Sequence, residues 1–121
     1  SARHARVNAL NPALYLACHV NAGMGGKPYN RGEIYHWPDS VHGIAAASDI
    51  AAEVGRIAPW PCTIKPADTS RTKSTMDGVR DPAVLLEPGF LDGSGAAWLR
   101  DSEAVGEAIA AGVEAYLRRG V

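Results

Sequence analysis

Two short apolar runs constrain this chain more than anything else in it. "ALYLAC" (13–18) and "AVLL" (83–86) are apolar at successive positions rather than at alternating ones. A strand that is apolar on both faces belongs inside a sheet covered on both sides. Each run stops at one ionisable residue, His19 in the first and Glu87 in the second, before loop-forming residues: Asn21-Ala22-Gly23 and Pro88-Gly89.

The segments around these runs fill in an α/β pattern. "SARHARVNAL" reads as the end of a helix, and Asn11-Pro12 marks its boundary, because proline restricts the residue before it. "NAGMGGKPYNRG" is a loop by its Gly, Asn and Pro content, and "GEIYHW" reads as a second strand. After Pro38-Asp39, Ser40 is placed to cap a helix over 41–57, with Ile44, Ala47, Ile50, Ala51, Val54 and Ile57 as its apolar stripe. Residues 58–81 form a long irregular connection with a short strand at 62–65, in the manner of a lid or mobile segment. Asp101 or Ser102 caps a last helix, with Glu103 and Glu107 near its start, Arg118 and Arg119 in its last turn and Gly120 as its stop. Val105, Ile109, Val113, Tyr116 and Leu117 are its expected buried stripe. The expectation is one domain over 1–121, a largely parallel sheet flanked by helices. In such sheets ligands gather at the carboxyl ends of the strands, where His19 and Glu87 both stand.

Length and charge narrow the function classes. A chain of 121 residues can bury one moderate core, and a net charge of −1 with mixed signs leaves no broad footprint for nucleic acid or an anionic membrane. No stretch is long and apolar enough to span a bilayer, and the basic, polar first residues carry no signal-peptide core, so a soluble chain is expected. Cys18 and Cys62 lie far apart without a C-x-x-C pair; each reads as a small core hydrophobe, with a disulfide between them left open.

A neutral imidazole at a strand end can ligate zinc, and a hydrolytic zinc site uses three protein ligands plus water. A neighbouring glutamate that is not a ligand can take a proton from that water, whose pKa falls from ~16 to ~7 on the metal, and pass it to a leaving amine. His19 and Glu87 fit that pattern of amide hydrolysis. The plainer alternatives are a hydrogen-bonded structural histidine and a solvated glutamate. His4, His36 and His42 have no HExxH-type spacing to a partner, and no Gly-x-Ser-x-Gly elbow supports a serine hydrolase.

In order from the first residue to the last, "ALYLACHVNAG", "RGEIYHWPDS" and "DPAVLLEPGFLDGSGAAWLRDSEAVGEAIAAGVEAYL" resemble the zinc-dependent N-acetylmuramoyl-L-alanine amidases of the amidase-3 type. The motifs that carry the resemblance are His-x-Asn-Ala and Pro-Ala-Val-Leu-x-Glu-x-Gly-Phe. It implies a twisted α/β sheet flanked by helices and cleavage of the amide between N-acetylmuramic acid and L-alanine in peptidoglycan. It also implies that His19 binds zinc, that Glu87 is catalytic, that Arg3 and Asn8 are structural, and that Gly89 and Phe90 shape the turn after the catalytic strand. The implied place of action is the bacterial cell wall, periplasm or exterior, by a bacterial enzyme or a phage lysin.

The family's first strand, ending in Gly-His-Gly, and its following glutamate-bearing helix have no counterpart here, so two zinc ligands are missing and an open sheet edge or exposed apolar face is expected. Four explanations compete: a fragment of a longer enzyme, a second chain that supplies the rest, completion of the metal site by His4, His36 or His42, or an inactive peptidoglycan-binding relative. The retained Glu87 favours an enzyme fragment.

Overall fold

The computed structural model describes residues 1–68 and 70–120. Four helices and four strands follow in the order α1 (Ala2–Leu10), β1 (Tyr15–Cys18), β2 (Gly32–His36), α2 (Val41–Ile57), β3 (Cys62–Pro66), α3 (Ser70–Met76), β4 (Ala83–Glu87) and α4 (Ser102–Leu117), with a 3-10 turn at Ala96–Arg100 before α4. The expected strands and the two long helices are present. The connection over 58–81 is less irregular than expected: it holds β3 and the short α3, while position 69 lies outside the described residues.

The strands form one sheet in the order β1-β4-β2-β3. β1 pairs with β4 and β2 with β3 in parallel, whereas β2 and β4 are antiparallel. Every residue of β4 is buried, as its unbroken apolar run requires, because it has a strand on each side and helices over both faces. β1 is instead an edge strand; among the described residues no strand pairs with its outer side. That position corrects the core reading of Cys18, which is exposed. The two cysteines sit on the strands at opposite edges of the sheet, and both are free.

Two cores follow from the alternation of side chains across the sheet. On one face, Ile34, Val84 and Leu86 pack under α2 and α4, against Ala47, Ile50, Val54, Ala108 and Tyr116. On the other, Ala17, Ala83 and Leu85 meet Met76 and Val79, with Val7 of α1 and Tyr15 and Tyr35 around them. The α2 stripe is correct at its centre and too wide at its ends: Ile44 and Ile57 are exposed, and Ala46 lies in the core. Likewise Leu117 is exposed at the end of α4, while Ala108 and Gly112 carry the contact with α2. The two long helices begin at the expected caps, whereas α4 ends at Leu117 with Arg118 as its cap, so Arg118 and Arg119 lie just past its last turn rather than in it. Ser40 Oγ accepts the Gly43 N–H at 2.8 Å and donates to Asp81 at 2.5 Å, and Asp101 accepts the Ala104 N–H at 3.1 Å.

Small residues set the spacing of α2 and α4. A Cβ on Gly112 would stand 2.5 Å from the Ile50 Cα and 3.1 Å from the Asp49 carbonyl oxygen, both backbone atoms with nowhere to go. Gly106, on the same helix, would meet nothing within 4 Å. Gly112→Ala is therefore expected to destabilise by about 1–3 kcal/mol in urea unfolding. Gly106→Ala should stabilise by up to ~1 kcal/mol through helix propensity. Equal effects of the two substitutions would contradict this packing.

Candidate functional site

The ladder brings three ionisable side chains to one row. Cys18 is in register with Leu86 on β4, and the His19 N–H continues the ladder to the Leu86 carbonyl at 2.9 Å, which sets His19 beside Glu87. On the other side, antiparallel β2 places Glu33 directly opposite Glu87. Residues opposite one another in a ladder share a face. His19, Glu87 and Glu33 thus lie in a row at the carboxyl ends of β1 and β4, beyond the core under α1 and α3. The two residues singled out from sequence are brought together; Glu33 was not anticipated.

Glu87 is only 6% exposed, so its carboxylate needs partners. One of them is Asn21, whose side-chain Nδ2 donates to Glu87 Oε2 at 2.5 Å. Asn21 is itself pinned: its N–H donates to the Gly89 carbonyl at 2.9 Å, its carbonyl accepts from Leu91 at 2.9 Å, and its Oδ1 accepts the Ala22 N–H at 3.1 Å. The turn after β4 is held as firmly. Asn30 accepts the Phe90 N–H at 2.8 Å and donates to the Phe90 carbonyl at 2.9 Å, and the Trp60 indole donates to the Pro88 carbonyl at 2.7 Å. A Cβ on Gly89 would fall 2.4 Å from the Trp60 ring, which explains why a glycine stands after Glu87-Pro88. The spacing His19-x-Asn21 has a physical sense here: one position continues the strand, and two residues on an amide reaches back to the carboxylate.

A cleft of about 560 Å³ opens at this end, with Asn21, Arg31, Glu33, Tyr35, Thr72 and Glu87 in its wall. That volume suits a small ligand or one segment of a larger one. His19 stands exposed beside it rather than in the wall. Glu33 is buried and heavily paired: Arg31 Nε donates to it at 2.7 Å, Lys65 Nζ lies at 3.4 Å, and the Tyr35 hydroxyl donates to it as well. Burial pushes the Glu33 carboxyl up, but the hydrogen bonds from Tyr35 and Arg31 and the charge of Lys65 together outweigh it, so the net shift is downward. Burial, with the charge of Glu33 adding to it, pushes the Cys62 thiol up to about 11, so it stays protonated at neutral pH.

The loop at the cleft mouth is fastened by Asp92. Its carboxylate accepts the Gly25 N–H at 2.9 Å and the Gly23 N–H at 3.1 Å, and the Gly26 N–H donates to its carbonyl at 3.0 Å. Gly23 and Gly25 have φ of 112° and 63°, which lets consecutive amides converge on one anion.

The other histidines lie elsewhere. His4 is buried in α1, edge-on to Tyr15 at the start of β1. His36 is buried in β2 with Nδ1 2.8 Å from the Trp37 carbonyl, and exposed His42 opens α2 beside Asp81, at the amino end of β4. Among the described residues no group of three or more His, Cys, Asp or Glu side chains could hold a metal ion. A complete catalytic zinc site does not fit this donor set, and completion by His4, His36 or His42 is corrected: all three lie toward the amino end of β4, away from His19.

No family model matches the chain. No curated protein matches it either. Solved structures do, and they define a class: the chain has the α/β fold of N-acetylmuramoyl-L-alanine amidase catalytic domains. The amidase AmiC2 of Nostoc punctiforme superposes with a TM-score of 0.78 at 22% identity, over 97% of this chain and 64% of that one. The catalytic domain of CwlV from Bacillus (Paenibacillus) polymyxa gives 0.74 at 22% identity, over 96% and 64%. Ami1 of Mycobacterium smegmatis gives 0.75 at 16% identity, over 98% and 60%. The chain thus spans less than two thirds of the length of these amidases. No helix among the described residues is long and apolar enough to cross a membrane.

The Asp92 clasp carries a pH dependence. The hydrogen bond from Gly25, with those from Met24 and Gly23, holds the Asp92 carboxyl below its ordinary value. A depressed pKa means that the clasp is present above the ordinary aspartate value of about 3.9 and is lost as pH falls through the lower folded value. In an NMR titration the Gly25 amide is expected to shift with a midpoint below about 3.9. A midpoint at or above that value would contradict the clasp.

Proposed function

We propose that this chain is the glutamate-bearing part of a peptidoglycan amidase domain. It would act at the bacterial cell wall on the amide between N-acetylmuramic acid and L-alanine. The observation that carries the proposal is the joint position of His19, Asn21 and Glu87 at adjacent strand ends, in a fold shared with amidases of that specificity. In this reading Glu87 takes a proton from a water molecule as its oxygen attacks the lactyl carbonyl. The same proton is then delivered to the alanine nitrogen as the C–N bond breaks, leaving a free amine and a carboxylic acid that gives up its remaining proton to solvent or to the amine. Asn21 orients the carboxylate for both transfers. His19 is the one imidazole at this end that could join a zinc ion, together with ligands supplied from outside the described residues.

The lack of a three-ligand metal group among the described residues favours a second reading for the chain by itself, a module that binds peptidoglycan without cleaving it. The two separate in one experiment. Insoluble peptidoglycan is incubated with the protein and zinc, and both sedimentation and newly freed alanine amino groups are measured. The amidase reading expects amine release that Glu87→Gln lowers by about 10²–10⁴-fold with the fold retained. Release at an unchanged rate by that variant would remove Glu87 from the mechanism. Co-sedimentation without any release, persisting when an amidase segment that carries the remaining zinc ligands is added, would favour the binding module instead.

A further inference from the structure

Arg31 is held at the cleft wall in a way that its bond to Glu33 alone does not require. Its Nε donates to Glu33 Oε1 at 2.7 Å, and its Cζ lies 5.0 Å from the centre of the Phe90 ring. These two contacts fix the guanidinium from its inner edge and from one face. Nη1 and Nη2, the edge suited to two parallel hydrogen bonds with a carboxylate, meet no partner among the described residues. The side chain is 44% exposed while that of Glu33 is 6% exposed, so the pair has a buried anchor and an open working end.

Charge at this wall is balanced: the carboxylates of Glu33 and Glu87 offset Arg31 and Lys65. The outward edge of the Arg31 guanidinium, rather than any surplus of positive charge, is what an anion would meet. Tyr35 also donates to Glu33, so the carboxylate can be satisfied without the whole of the guanidinium. Phe90 follows Glu87 by three residues on the turn clamped by Asn30, which ties the position of Arg31 to that of the proposed base.

We propose that Arg31 is a specificity-determining residue that binds a carboxylate of the substrate peptide, on the amine side of the scissile amide. This rests on the reading of the cleft as a muramoyl-peptide site. A preorganised guanidinium loses little freedom when the anion arrives, so the bidentate pair adds affinity rather than only orientation. Glu33 then acts as a positioning residue: it touches Arg31, not the ligand.

The test compares two soluble probes, N-acetylmuramoyl-L-alanyl-D-glutamate and its diamide, by calorimetric titration into the protein. The wild type is expected to bind the acid about 10- to 100-fold tighter than the diamide. Arg31→Gln should bring that ratio close to one, and Arg31→Lys should keep part of it, since a lysine restores the charge without the fork. A Glu33→Gln variant that melts like the wild type should reduce the ratio without abolishing it. Equal binding of acid and diamide by the wild type would overturn the proposal, and that result needs no variant to fold. A preference for the acid that survives Arg31→Gln would overturn it as well. Binding of neither probe would instead reject the muramoyl-peptide reading of the cleft, and this proposal with it.

Discussion

A carboxylate at the end of a strand buried on both faces must find hydrogen-bond donors, and the arrangement at the carboxyl end of the sheet follows from that need at Glu87. β4 is apolar along its length and enclosed throughout, so its terminal charge is set at the boundary between core and cleft. Asn21 meets it from β1's side, and meeting it requires the loop after β1 to run beside the turn after β4. Asn30, Trp60 and Asp92 then fasten those two segments to each other and to the sheet. Without these clamps the Asn21 amide would have no fixed approach to the Glu87 carboxylate.

The second buried carboxylate shows the other side of the same physics. Glu33 lies opposite Glu87 in the ladder, where two unpaired negative charges would repel and force one of them to hold a proton. Arg31, Lys65 and Tyr35 remove that conflict by neutralising Glu33 locally. The sheet can therefore keep two acids side by side at the cleft, Glu33 paired with Arg31, Lys65 and Tyr35 and Glu87 with Asn21 among its partners.

Much of this fold was legible in the sequence because its signals are local. The unbroken apolar runs mark β1 and β4, and Ser40 and Asp101 mark helix starts that match the observed caps. What was missed depends on neighbours that no local pattern names. α3 is polar through "SRTKSTM" and gains its place from Met76 against Leu85 and Ala83, contacts known only once β4 is central. Cys18 reads as core until strand order makes β1 an edge. In the site, His19 and Glu87 stood out as lone ionisable residues after apolar runs. Glu33 did not, since an acid between Gly32 and Ile34 looks like the solvated side of an alternating strand. Its partners Arg31 and Tyr35 are close in sequence, but only the antiparallel pairing of β2 with β4 brings all three to Glu87. That His4, His36 and His42 lie at the end of the sheet away from His19 likewise required the three-dimensional arrangement.

The central proposal is that the cleft bordered by Asn21, Glu33 and Glu87 is where a muramoyl peptide would be held. Amide and side-chain NMR shifts during titration with N-acetylmuramoyl-L-alanyl-D-glutamate test it most directly. The expected result is a set of perturbed signals confined to His19–Gly23, Arg31–Tyr35 and Glu87–Asp92, saturating together. Shifts centred instead on His42, Asp81 and Tyr116, at the opposite end of the sheet, would contradict the account.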